Sequence, residues 1–408
     1  MKKNVSVSVS GRFPIEDGQF APGDICGGGA YMSPPGRDAP QHGLGSWSLF
    51  GDDEDEDNGG STPPPSRPVV PQPTQRSFSM DSTPPRIKAI SKEHFTPQRA
   101  ITGRLSENAQ IFKTIQGGYG LVELIDDEGQ LLAKKTGSGI SAEYRTLSGL
   151  SSPYVVKAGQ LDGVTDAHMV MAAAHNDLDR YLVGVSTFLN GEADPQLKLF
   201  FLLNMTGMVL DGIKAVHTGH NQVICDVKPM NVLVFNHGTL AIADLGSLRK
   251  PGDKIKDGYT PSYAPPEFFS EGIKDDINMT GMKVGFYSDV WSFGAMMYKA
   301  VFGELYFRDI ADVRDINDPL AFGGVFTLPN MQKLHRQIDA KIDGLPEVLR
   351  PHVKVFVKGC LTVSPDDRPK MSDMQARVSA ALAAFDDPAL LAQCKDVWSG
   401  FTADLLRK

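Results

Sequence analysis

Two textures divide the chain. From residue 108 onward, IFKTIQGGYGLVELIDDEGQLLAKKT alternates β-rich apolar stretches with turn residues, which predicts an antiparallel meander. Glu143 to Leu150 then carries apolar residues at helical spacing (Tyr144, Leu147, Leu150) and runs into the breaker Ser151-Ser152-Pro153. HMVMAA, starting at His168, predicts another short buried strand. Beyond Asp177 the pattern turns helical, and LKLFFLLNMTGMVLDGIKAVH is long, apolar on one side and free of proline. VLVFNHGTLAIAD predicts a hairpin around Asn236-His237-Gly238, and several helices follow, one of them at VWSFGAMMYKAV. A small β-rich part thus precedes a larger helical part, and the polar signals collect between them.

The first hundred residues do not fit this scheme. They hold half of the 28 prolines and an unbroken acidic run from Asp52 to Asp57, followed by STPPPSRPVVPQP. Such a segment buries too little apolar surface to offset its ordering entropy, which predicts a disordered leader over residues 1–105. The acidic run reads as solvated chain.

With 408 residues, 41% of them apolar, the rest has ample material for a large core. A net charge of −8 argues against a nucleic-acid partner. Cys26, Cys225, Cys360 and Cys394 lie far apart without paired spacing, which excludes a disulfide scaffold or zinc module and fits a reducing compartment. No apolar run approaches the roughly 18–20 residues of a membrane helix. The first dozen residues lack the apolar stretch of a secretory signal.

The chemistry concentrates in Cys225-Asp-Val-Lys-Pro-Met-Asn231, followed thirteen residues later by Asp244-Leu-Gly246 with the predicted hairpin between. Two carboxylates and an amide on short loops suit a divalent-metal phosphate site, in which hard oxygen ligands hold Mg²⁺ and a separate carboxylate orients an attacking hydroxyl. Here the chain resembles the eukaryotic-type serine/threonine protein kinase family over roughly residues 110–370, with the motifs in the family's order.

The resemblance implies an α+β, bilobal protein-kinase-like fold: a small β-rich N-lobe over 106–175, a larger mainly helical C-lobe over 176–385, and a helical tail over 386–408. It implies ATP and Mg²⁺ as cofactors and a protein substrate. Asp226 matches the aspartate that accepts the substrate hydroxyl's proton. Asn231 and Asp244 match the Mg²⁺ ligands, and Lys228 matches the lysine set against the γ-phosphate. Thr260, in Thr260-Pro-Ser-Tyr-Ala-Pro-Pro-Glu267, matches the threonine bonded to that aspartate and lysine. Glu267 is implied to pair with Arg368, and Asp289 to brace the catalytic-loop backbone.

The nucleotide-gripping half is matched by Ile115, Gly117, Gly118, Tyr119, Gly120 and Val122 for the glycine-rich loop. Ala133 and Lys135 match the strand that grips the α/β-phosphates, with Lys134 as the other register. Met171, Ala172 and Ala174 fall at the adenine hinge, and Glu143 matches the helix glutamate that orients the lysine.

The departures are specific. Ile115 replaces the first glycine. Lys135 and Glu143 are only eight residues apart, so their helix is expected to begin abruptly or to be truncated. Ile224-Cys225 replaces the histidine-arginine pair, which removes the cation that phosphorylated activation loops bind and implies an activity not switched in that way. A pseudokinase scaffold that binds without phosphotransfer and a small-molecule phosphotransferase of the same fold are the alternatives. The Ser/Pro/Gly-rich leader and shortened helix also resemble bacterial effector kinases exported by a type III route, which implies a host-protein substrate; an ordinary cytoplasmic kinase is the other setting. The expected assembly is a monomer without a membrane span.

Overall fold

The computed structural model describes residues 105–405 apart from 118–119, 163–167, 236–237, 256, 270–282, 309, 311–321, 323–324 and 386. The expected leader, except for its last residue, lies outside this set, as do Gly118, Tyr119, Asn236 and His237.

The predicted meander is an antiparallel sheet in the order β1 (Gln110–Gly117), β2 (Gly120–Asp127), β3 (Gln130–Gly137), β5 (His168–Ala172), β4 (Ala158–Asp162). The β2–β3 turn needs two left-handed residues, which Glu128 (φ 54°) and Gly129 (φ 88°) supply, and the Asp126 side chain accepts from the Gly129 amide at 2.8 Å. After β3 the chain turns sharply at Gly139 (φ 77°) into α1 (Ile140–Ser148). This helix begins three residues before the predicted stretch and ends before Leu150. Its buried face is Ile140, Glu143 and Leu147, so the expected stripe through Tyr144 is off by part of a turn.

A second sheet, β6 (Asn176–Asp177), β7 (Val232–Val234) and β8 (Leu240–Ile242), contains the predicted hairpin. The helices are α2 (Leu182–Asn190), α3 (Pro195–His220), α4 (Phe286–Phe302), α5 (Leu328–Asp343), α6 (Arg350–Val353, passing into a π-helical stretch to Gly359), α7 (Met371–Leu382) and α8 (Pro388–Leu405).

α3 starts where sequence rules place it. Asp194 caps the Gln196 and Leu197 amides at 2.8 and 3.0 Å, Pro195 takes the first turn, and left-handed Asn221 ends the helix. It is apolar on more than the one side its sequence pattern suggests, and it is long and apolar enough to cross a membrane, contrary to the expectation that no such stretch exists. Burial explains its composition: Phe201, Leu202, Leu203, Leu210, Ile213 and Val216 are sealed in the core, where each contributes about 1.5–3 kcal/mol.

The C-terminal helix α8 is part of the same core. Trp398 packs on Phe201 at 5.1 Å and Tyr181 at 5.9 Å between ring centroids. Its indole lies against Gly238 (φ 77°), where a Cβ would come within 2.1 Å. Through Trp398, α8 packs against the helical part.

Candidate active site

The partners on the two faces of β3 decide between the two lysines. Lys134 faces outward and pairs with Glu123 at 2.9 Å. Lys135, on the opposite face, donates to Glu143 at 2.8 and 2.9 Å and to Asp244 at 2.9 Å. The eight-residue spacing does not prevent the Lys135–Glu143 pair, because the abrupt start at Gly139 places Glu143 in the first turn of α1. Burial alone would pull the lysine's pKa down, but the Glu143 and Asp244 carboxylates more than offset it and hold it above 10.5. Burial pushes Glu143 above its usual 4.5, against the pull of Lys135 and of the Leu245 amide. The lysine's shift governs the pair at neutral pH, since one ammonium faces two carboxylates within 2.9 Å.

On the helical side, Asp226 is buried. Its Oδ2 meets Lys228 at 2.8 Å and accepts from Asn231 Nδ2 at 3.1 Å. Its Oδ1 is buried and has no hydrogen-bond partner, an acceptor awaiting a donor. Lys228 also donates to Thr260 Oγ1 at 2.7 Å, so Thr260 is linked to Asp226 through the lysine. Asn231 Nδ2 donates to the Asp226 carbonyl as well, which turns the amide oxygen away from them. The β7–β8 register brings Asn231 beside Ala243, whose amide donates to the Asn231 carbonyl at 2.8 Å, and so places it next to Asp244. Asp244 itself holds a left-handed backbone (φ 57°), an uncommon conformation for a non-glycine residue.

Asn231 and Asp244 line a cavity of about 310 Å³ together with Ile115, Gly120, Val122, Ala133, Lys135, Glu143, Met171, Ala172 and Ala174. Gly117 is not among its lining residues, and Gly118 and Tyr119 lie outside the described set. Asp226, Lys228 and Thr260 adjoin the cavity through Asn231 rather than line it. Sequence reasoning missed Leu124, Leu147, Val156, Asp177, Met230, Leu233 and Ala243 on its walls. Leu124 and Leu233 follow from period-two alternation beyond Val122 and Asn231. Asp177 had no signal: it caps a short 3₁₀ turn through the Arg180 amide, and burial pushes its pKa up. A second cavity of about 560 Å³ shares Lys135, Glu143 and Asp244 and continues to Arg249 and Gly258.

Among the described residues no three His, Cys, Asp or Glu side chains come together as a metal cage. One carboxylate and one amide oxygen fit Mg²⁺, which keeps several waters and takes substrate phosphates as its remaining ligands.

Buried groups brace this arrangement. Asp289, fully buried, accepts from the Ile224 and Cys225 amides at 2.8 and 2.9 Å and from His217 Nε2 at 2.7 Å. Glu267 and Arg368 form a fork at 2.8 Å on both arms with no side-chain exposure. Cys225 is a packed small residue in a left-handed conformation (φ 66°), its thiol pushed up by burial and by Asp289. Ile224 is buried beside it.

Residues 125–378 match the family model described as the protein kinase domain. The chain is 29% identical over 164 residues to the CBL-interacting serine/threonine-protein kinase 15 of Arabidopsis thaliana, covering 38% of this chain and 32% of that protein. It is 27% identical over 279 residues to the carbon catabolite-derepressing protein kinase of Saccharomyces cerevisiae, covering 64% and 38%. A mitogen-activated protein kinase kinase of Pyricularia oryzae is 27% identical over 184 residues, covering 44% and 40%. The chain thus spans well under half the length of these relatives.

Proposed function

The chain belongs to the protein kinase family, and on that footing we propose that it transfers the γ-phosphate of ATP to seryl or threonyl hydroxyls of protein substrates. The observation that carries this reading is Asp226: one carboxylate oxygen is satisfied by Lys228 and Asn231, and the other is buried and unpaired. An acceptor hydroxyl would donate to that free Oδ1, which orients the hydroxyl oxygen and receives its proton as the new O–P bond forms and the bond between the γ-phosphorus and the bridging oxygen breaks, with ADP leaving. Lys228 stays anchored by Thr260 and supplies positive charge beside the aspartate.

Lys135, held in place by Glu143, would grip the phosphates, with the apolar walls of Val122, Ala133 and Met171 around the base. Asn231 and Asp244 would hold Mg²⁺, which when bound neutralises charge on the phosphates. The chain's own contribution is therefore positioning and fixed charge. The Lys228–Thr260 bond and the similarity to a serine/threonine-protein kinase of Arabidopsis thaliana support the serine/threonine preference.

We further infer that phosphate on the 247–262 segment is not the switch, because the position before Asp226 is a buried cysteine and the nearby Arg249 is already paired with Asp257 at 3.1 Å. The test is transfer of labelled phosphate from ATP and Mg²⁺ to the protein and to a basic protein substrate. Wild type should label serine or threonine, and Asp226→Ala and Asp244→Ala should each lose the label. Nucleotide binding without any transfer by wild type would overturn the proposal.

A further inference from the structure

We propose that His220, in the last turn of α3, is a positioning residue for this reaction: it pins α1 and thereby keeps Glu143 against Lys135. The inference rests on the kinase reading and adds the element that holds the lysine's partner in place.

α1 cannot place itself. At nine residues it is shorter than the roughly 12–15 that an isolated helix needs to be even marginally stable in water. Its N-terminus has no side-chain cap: Gly139 stands there, and only its carbonyl takes the Ala142 and Glu143 amides. Its apolar anchorage is Ile140 and Leu147, with half-buried Tyr144 against the same core. What fixes α1 must therefore come from outside it, and the contact lies at its other end.

There His220 Nε2 meets the Thr146 carbonyl at 2.9 Å. A carbonyl can only accept, so Nε2 carries the proton and donates. Thr146 lies three residues beyond Glu143, on the neighbouring face of the same turn.

Two glycines make the approach possible. At Gly149, which caps α1, a Cβ would stand 3.1 Å from His220 Cε1. At Gly219 a Cβ would stand 2.6 Å from Leu150 Cδ2. Two helical turns earlier, on the same side of α3, a Cβ at Gly212 would stand 2.4 Å from the Tyr154 carbonyl. That carbonyl accepts from the Ile242 amide, and the Val156 amide donates to the Ile242 carbonyl, each at 2.9 Å. The connector from α1 to β4 is thus seated on α3 and β8, with His220 as the fastening nearest Glu143. Without it, α1 keeps its Ile140 and Leu147 anchorage but loses the tie at its C-terminal end, and Glu143 is held less firmly against Lys135.

The experiment compares wild type, His220→Ala and His220→Gln, the last because the glutamine amide reaches about as far as Nε2 and can donate to the same carbonyl. Amide hydrogen exchange over residues 142–148 in the nucleotide-free protein is the deciding readout. Exchange there should rise about tenfold in His220→Ala, the factor set by one hydrogen bond of ordinary net strength, and return to near wild type in His220→Gln. The kcat for transfer to a basic protein substrate should fall by a similar factor in His220→Ala and recover in His220→Gln. Unchanged exchange in His220→Ala would overturn the pin. So would equal losses in both variants accompanied by a lower melting temperature, which would mark a general packing role. A wild type that transfers no phosphate would sink the kinase reading, while the exchange comparison would still decide whether His220 holds α1.

Discussion

Two ion-pair systems in this molecule use the same chemistry for opposite ends. Around Lys135 one ammonium is divided between Glu143 and Asp244, and exposure rises from 7% at Glu143 to 36% at Asp244. Around Arg368 every arm is committed: two bonds go to Glu267 and others to the carbonyls of Tyr287, Thr362 and Val363, with no side-chain exposure on either charged partner. A shared ammonium at the edge of a cavity can exchange partners when phosphate arrives. A saturated, sealed guanidinium cannot, and its place is in the frame. The difference is one of degree of satisfaction rather than of residue type.

The comparison breaks most visibly at the sealed pair. Arg368→Met leaves the buried Glu267 carboxylate with Ser288 Oγ at 2.9 Å but without its counter-charge, and should cost about 3–5 kcal/mol in chemical denaturation. Adding Glu267→Leu should recover only part of that loss, because the three carbonyls remain without their donor. Next in size, Asp289→Asn should cost about 1–3 kcal/mol, since an amide cannot accept from both the Ile224 and Cys225 backbone groups and His217 as the carboxylate does.

At the open pair the balance reverses. Lys135→Met should cost only about 1–2 kcal/mol in the same denaturation measurement and yet abolish phosphate transfer. An unfolding cost as large as that of Arg368→Met would erase the distinction.

The smallest effect sharpens it. Because the fold raises the Lys135 pKa above 10.5, its contribution to stability is complete below that value and is lost as pH climbs through the folded one. The stability gap between wild type and Lys135→Met should therefore stay level from neutral pH to about 10 and narrow above 10.5. A gap that already closes at pH about 8–9 would mean the carboxylates do not hold the lysine as described.

Much of this was legible in sequence, for identifiable reasons. Asp226, Lys228, Asn231 and Asp244 sit at fixed offsets around one short hairpin, so their spacing carries their geometry. β2 and β3 could be read because their apolar residues alternate. Alternation alone left Lys134 and Lys135 undecided, because either register fits the strand until the sheet's neighbour at Glu123 is known. The Lys135–Glu143 pair could be expected from the resemblance alone, since its short spacing depends on one left-handed glycine. His220 and Trp398 were invisible for another reason: their partners lie far off in the chain, at Thr146, and at Phe201 and Gly238. Nothing local announces such contacts.

The position of α8 has a consequence for the order in which the molecule comes together during synthesis. Its helix starts at Pro388, beyond residue 378 where the family match ends, and Trp398 covers Phe201, Tyr181 and the Gly238 turn. Those surfaces are made roughly two hundred residues earlier and stay uncovered until residues 388–405 have emerged. A ribosome that stalls before that point releases a chain with an open aromatic face, the kind of patch that chaperones bind and aggregates grow from. A chain lacking residues 388–405 would leave Phe201, Tyr181 and the Gly238 turn without the cover of Trp398.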